Sequence, residues 1–208
     1  MAQEQMQASP APAGIRYHMV FPPGWREFRT NAEFEEALVK LVTAESRASG
    51  RADVVLMLRQ KVHEMFEDLR RRGSLSFAIP AERGKAGVWP VSLIVTPLKT
   101  GPSGTLDEAV RSAARGIAVE TESVEGADWY HWNTSTRAKD APELRSHGIN
   151  MVVPRPLPDG GVDPDPKAGL WLLYTYAELD QLKQEEMNEG LRQLGYAILG
   201  SFKWVPVK

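Results

Sequence analysis

A predicted hairpin that sets acidic residues opposite a histidine is the pattern in this sequence that could support chemistry. Residues 117–137 read as two strands joined by a four-residue loop, which is a hairpin spacing. If that loop closes Val124 against Trp129, then Glu122 lies opposite His131. A carboxylate opposite an imidazole would stabilise the protonated ring, and the pair could act as a general base or supply half of a metal site.

The same hairpin also has a purely structural interpretation. Glu120, Glu122, His131 and Asn133 would share one face, and a charge pair on a solvated face contributes at most ~1 kcal/mol. Metal binding or acid–base catalysis needs further ligands, and the sequence offers none that can be placed beside His131. A slip of one residue would also turn His131 to the opposite face. We therefore predict no catalytic residue, no metal site and no cofactor.

Tryptophan is the second residue type that stands out. The chain has six tryptophans, and strand-borne aromatic side chains usually fill the core between a sheet and a helix. Trp129 and Trp171 alternate opposite to the residues assigned to the interior, so they could instead line a cleft or an interaction surface, where tryptophan is enriched. The candidate binding residues are therefore Glu122, Trp129, His131 and Trp171.

The Pro- and Asp-rich segment 158–166 could suggest calcium binding. Its spacing departs from the EF-hand pattern, because no acidic residue closes the loop and prolines follow two of the carboxylates. We interpret it as a solvated turn between strands. The four histidines are scattered, and the sequence has no Gly-x-Ser-x-Gly elbow.

Composition narrows the classes of protein. Of 208 residues, 42% are hydrophobic and 25% are charged, which is ordinary for a globular protein. The 25 basic and 27 acidic residues are interspersed. The sequence therefore has no basic stripe, and we expect no nucleic-acid partner. No apolar run reaches the ~18 residues that a membrane helix needs, so we expect no membrane association. The lack of cysteine excludes thiolate chemistry and fits a reducing cytoplasm, where we expect the protein.

The order of patterns along the chain predicts one domain. Residues 1–14 are rich in Gln, Ala and Pro and are expected to form a disordered tail, neither signal nor anchor. Residues 15–208 are expected to form a single α+β domain. Capping-box spacings at Thr30 and Thr105 predict two helix starts, and a last helix is expected from about Leu179.

Hairpins in series with helices inserted as blocks do not follow the βαβ alternation of a parallel sheet. The predicted fold is α+β, with a mostly antiparallel sheet of about seven to eight strands and about four helices packed largely on one face.

Several short segments carry a resemblance to known proteins. The region from Trp171 to Trp204, together with the early Pro22–Trp25 and the Pro90–Leu93 strand, resembles a family of uncharacterised bacterial proteins, typically actinobacterial. In architecture the chain resembles the Mog1/PsbP class, in which helices flank an antiparallel sheet and whose members act chiefly in binding or assembly. The two consecutive N-terminal helices depart from the usual plan of that class. Neither resemblance implies a catalytic motif.

These observations favour a non-enzymatic, soluble protein that binds another protein or a second copy of itself in a homodimer. The sequence also leaves open an alternative from another class. In that alternative the chain is a small-molecule-binding protein, or a weakly marked hydrolase, with a cleft near Glu122, His131 and Trp129.

Overall fold

The computed structural model describes residues 15–82, 90–137, 144–179 and 185–206. Within these ranges the chain forms nine strands and four helices. In chain order they are β1 (Ile15–His18), β2 (Trp25–Arg29), α1 (Ala32–Ala48), α2 (Ala52–Arg71), β3 (Ser76–Pro80), β4 (Val91–Lys99), α3 (Leu106–Ala114), β5 (Glu120–Val124), β6 (Ala127–Arg137), β7 (Leu144–Pro154), β8 (Ala168–Leu179), α4 (Glu185–Gly200) and β9 (Lys203–Pro206). The expected tail, 1–14, lies outside the described residues.

Seven of the strands form one antiparallel sheet in the order β2-β3-β4-β8-β7-β6-β5, and β1 pairs with β9 in a separate two-stranded ribbon. The long central strands β7 and β8 expose none of the residues whose burial is described, and the stretches 148–154 and 169–176 contain most of their buried positions, which explains the apolar sequence there. The predicted α+β class with a mostly antiparallel sheet is confirmed.

Three helices cover one face of the sheet, named here the three-helix face. Here α1 and α2 pack their apolar sides against Phe28 and Phe77, and α3 packs against Tyr130 and Trp132. The opposite face, named the one-helix face, is covered by α4 and the β1–β9 ribbon, which bury Tyr174 with other side chains of β4, β7 and β8. The helices therefore do lie largely on one face, as predicted.

Of the two predicted helix caps, the one at Thr105 is correct and the one at Thr30 is wrong. Thr105 caps α3 in a full capping box with Glu108, as its spacing predicts. The cap of α1 is Asn31, whose Oδ1 accepts from Phe34 N at 3.0 Å. Thr30 instead donates its hydroxyl to Ser74 O at 2.7 Å, so the predicted cap was displaced by one residue through a tertiary contact.

Close approach of α4 to the sheet depends on a glycine. A Cβ at Gly195 would lie 2.5 Å from Tyr174 Cδ1, and the Tyr174 hydroxyl donates to Leu191 O at 3.0 Å. The expected helix start at Leu179 is wrong, because Leu179 is the last residue of β8. No helix in the described ranges is both long and apolar enough to cross a membrane.

Candidate binding groove

The hairpin of β5 and β6 has a tighter turn than the sequence predicts. Glu125 and Gly126 form a two-residue turn with φ values of 53° and 85°, the positive φ pair of the hairpin turn whose twist matches its strands. Glu122 therefore lies opposite Trp129, and Glu120 lies opposite His131. The predicted Glu122–His131 pairing is wrong by two residues, a shift that leaves every side chain on its predicted face.

His131 has an acidic partner, but the pair lies at the surface. Its Nε2 is 3.0 Å from Glu120 Oε2, and the Glu120 side chain is 80% exposed. A pair this exposed contributes little to stability. Among the described residues, no group of three or more histidine and acidic side chains is placed to hold a metal ion.

A groove of about 950 Å³ lies beside this pair, mostly on the one-helix face. Its lining also includes Leu106, Asp107 and Tyr130, which belong to the three-helix side of the sheet. One wall is β6, another is the loop 155–166, and the third is formed by the end of α4 and the start of β9. Glu122, Trp129 and His131 all line it, so the structure brings together three of the four predicted binding residues.

Aromatic side chains form a row along the groove. The Phe202 ring meets Trp129 and Trp204 edge to face, with centroids 5.9 and 5.1 Å apart. Trp204 is half-buried and its Nε1–H donates to Pro154 O at 2.9 Å. Tyr196 of α4, 41% exposed, accepts from Asn133 Nδ2 at 3.0 Å. These contacts hold the aromatic side chains of the groove in place.

The loop 155–166 is held in place by its own aspartates. Asp159 Oδ1 accepts from Gly161 N at 2.9 Å, and Asp163 Oδ1 accepts from Asp165 N at 3.0 Å. The segment is the solvated turn that the sequence predicts. It also forms a wall of the groove, with Val162 packed near Gly126 of the β5–β6 turn, which the sequence did not predict.

The groove carries an excess of acidic side chains. Arg155 and Lys203 are the basic residues on its lining, against six carboxylates: Asp107, Glu122, Glu125, Asp128, Asp163 and Asp165. Asp107 and Asp165 pair with neighbouring cations. Burial raises the pKa of the Tyr130 hydroxyl, and the charges of Asp107 and Asp128 add to that rise. The excess of carboxylates over basic side chains makes the lining negatively charged.

Trp171 does not join this site. It lies on the three-helix face, where its ring packs 5.8 Å from that of Trp132. Its Nε1–H donates to Asn150 Oδ1 at 3.1 Å, and the buried Asn150 side chain donates to Trp132 O at 3.2 Å. The hydrogen bonds satisfy a polar group inside the core, which makes Trp171 a structural residue here.

Sequence reasoning did not place Tyr196, Phe202 or Trp204 in the site. The closing segment 202–205 has the sequence of an ordinary apolar strand, and Tyr196 is one aromatic residue among the polar positions of α4. The signal that was present is the short aromatic repeat Phe202-Lys203-Trp204. Its position beside Trp129 depends on a long-range packing that no local pattern specifies.

The chain is similar to known proteins in its structure but not in its sequence. No family model matches the chain, and no curated protein matches its sequence. The structure is similar to the solution structure of cyanobacterial PsbP (CyanoP) from Synechocystis sp. PCC 6803, with a TM-score of 0.46 and 12% identity over 98% of this chain and 96% of that one.

A crystal structure from Bacteroides thetaiotaomicron VPI-5482 is also similar, with a TM-score of 0.40 and 8% identity. The match covers 92% of this chain and 45% of that one. Both scores lie below 0.5, so neither match enters the functional argument, and membership of an actinobacterial family stays a prediction.

Proposed function

We propose that the protein is a non-enzymatic binding protein that holds a segment of another protein in the groove. The observation that carries this proposal is that Trp129, Trp204 and Tyr196 line one open groove, with the two tryptophans packed on the buried Phe202. Tryptophan and tyrosine are enriched at the centres of protein interfaces, where they contribute much of the binding energy. A rigid row also loses little conformational freedom on binding.

The surroundings of His131 favour binding over catalysis. General acid–base residues are usually held in a cleft that excludes water. His131 lines the groove, but its acidic partner Glu120 is 80% exposed to solvent. The small-molecule alternative keeps one supporting observation, because a groove of about 950 Å³ is within the size range of ligand sites.

Site-specific photo-crosslinking tests the proposal. A photoreactive amino acid is placed at Val162, which is 45% exposed on the groove wall, and in a control protein at Leu56, which is 69% exposed on α2. In lysate of the source organism we expect one protein to crosslink at Val162 and not at Leu56. Identical crosslinked products from both positions would contradict the proposal. The absence of any crosslinked product at Val162 would also contradict it, and would favour the small-molecule alternative.

Binding of the purified crosslinked protein then tests the aromatic row. We expect Trp129→Ala to weaken the affinity at least about tenfold, measured by calorimetry, with folding checked by circular dichroism. Trp171→Ala is the matched control, since it removes a half-buried tryptophan from the opposite face. If Trp129→Ala fails to fold, Tyr196→Ala replaces it. An equal loss of affinity in Trp129→Ala and Trp171→Ala would disprove a role for the groove.

A further inference from the structure

No strand among the described residues pairs with the outer edge of β5. β5 is the terminal strand of the seven-stranded sheet, and the strand pairing of the described residues joins it to β6 alone. Its first four residues, from Glu120 to Ser123, are all exposed, although they point alternately to both faces. An exposed edge of this kind presents unpaired backbone N–H and C=O groups to a further strand.

Charge on β5 is confined to one face. Glu120 and Glu122 point to the one-helix face, whereas Thr121 and Ser123 point to the other. Glu122 lines the groove, and Glu120 contacts His131, which also lines it. A strand added beside β5 would therefore place every second side chain near these carboxylates and close to the aromatic row.

The same charges argue against a second copy of this chain at the edge. A two-fold axis between two β5 strands would set Glu120 and Glu122 against the same carboxylates of the other copy. Like charges directly opposite each other destabilise a strand pair. Charged side chains on an edge strand are a common means of preventing such self-association.

We propose that β5 accepts an extended segment of the partner protein that carries Lys or Arg at every second position, as an eighth strand of the sheet. The basic side chains of that segment pair with Glu120 and Glu122, and the acidic lining of the groove attracts them. Its intervening side chains lie on the three-helix face, beside Thr121 and Ser123. This inference rests on the proposed function, and it names the chemistry of the partner.

Synthetic peptides of equal composition test the spacing. The probe is a capped ten-residue peptide in which Lys and Thr alternate, and its control carries the same lysines in one block. We expect calorimetry to show that the alternating peptide binds the full chain about tenfold more tightly than the block peptide. Its affinity should fall as the NaCl concentration rises. Amide hydrogen exchange of residues 120–124 should slow in its presence. Equal binding of both peptides without slower exchange at β5 would overturn the inference.

Charge reversal tests the residues themselves. We expect Glu120→Lys/Glu122→Lys to abolish binding of the alternating peptide, whereas Glu33→Lys/Glu64→Lys, on exposed positions of α1 and α2, should leave it unchanged. Unchanged binding to the β5 double variant would also overturn the inference. The Val162 crosslink does not depend on these results, so a groove partner without β5 binding would refute this inference alone.

Discussion

At one end of the seven-stranded sheet, β2 buries Trp25 and Phe28 beneath neighbouring elements, and α1 and α2 close over its three-helix face. At the other end, β5 exposes four of its five residues and the groove lies open beside it. Both are terminal strands of the same sheet. One end of the sheet is therefore closed by its own helices, whereas the other end, where we propose that a partner binds, is exposed.

The largest expected effect lies at the β2 end. Phe28 is 4% exposed and its ring stacks on Phe77 with centroids 5.3 Å apart. We expect Phe28→Ala to lower the free energy of unfolding by about 3–5 kcal/mol, measured by urea denaturation. Thr121→Ala, an exposed position on β5, should cost less than about 0.5 kcal/mol. Similar losses at the two positions would remove the contrast between the ends.

A smaller effect is expected where α1 meets α2. Glu35 accepts from Arg70 Nη2 and lies 2.8 Å from His63 Nδ1. Burial opposes the charge of Glu35, but the hydrogen bonds from His63 and Arg70 outweigh it and lower the pKa of the carboxyl. A lowered pKa in the folded state stabilises the fold above the unfolded pKa, and this contribution disappears as pH falls through the lowered value.

We therefore expect Glu35→Gln to cost about 1 kcal/mol at neutral pH. The difference from wild type should shrink between about pH 5 and pH 2, measured by urea denaturation across that range. Glu33→Gln, on the exposed side of the same helix turn, is the control. A loss that does not depend on pH would show that packing, rather than the charge, is responsible.

The smallest effect is expected at the β5 end and has the opposite sign. Glu125 has a φ of 53°, a left-handed conformation that disfavours most side chains and that asparagine tolerates well. We expect Glu125→Asn to raise the free energy of unfolding by up to about 1 kcal/mol, and Glu125→Gln to leave it unchanged. Both substitutions remove a carboxylate from the groove, so both should weaken binding of the alternating peptide. A loss of stability with Asn would contradict the turn geometry.

The fold class could be predicted because its signals are local. Alternation of apolar residues, hairpin spacings and the Thr105 capping box depend on neighbouring residues, and all of them indicate an antiparallel α+β protein. The hairpin register could not be predicted, because a Glu-Gly pair is a weaker turn signal than Asn-Gly. The faces of Glu122 and His131 were nevertheless correct, since the error was an even number of residues.

The candidate site could be predicted in part for the same reason. Glu122, Trp129 and His131 belong to one hairpin, so their common face follows from alternation. Trp171 lies two strands away from β6, and its face relative to Trp129 depends on the registers of β6 with β7 and of β7 with β8. Those registers are fixed by packing between distant segments, which single-residue patterns do not encode.

The ribbon of β1 and β9 has a consequence for how the molecule reaches this structure. Ile15 pairs with Pro206, and Tyr17 of β1 stacks on Phe202 just before β9, so one edge of the core is closed by the two most distant parts of the described chain. Contacts of such high sequence separation slow folding, because a long loop must close before they form. During synthesis the core on the one-helix face stays incomplete until β9 has left the ribosome. Until β9 is available, β1 remains unpaired, and an unpaired strand next to exposed apolar surface can bind chaperones or aggregate.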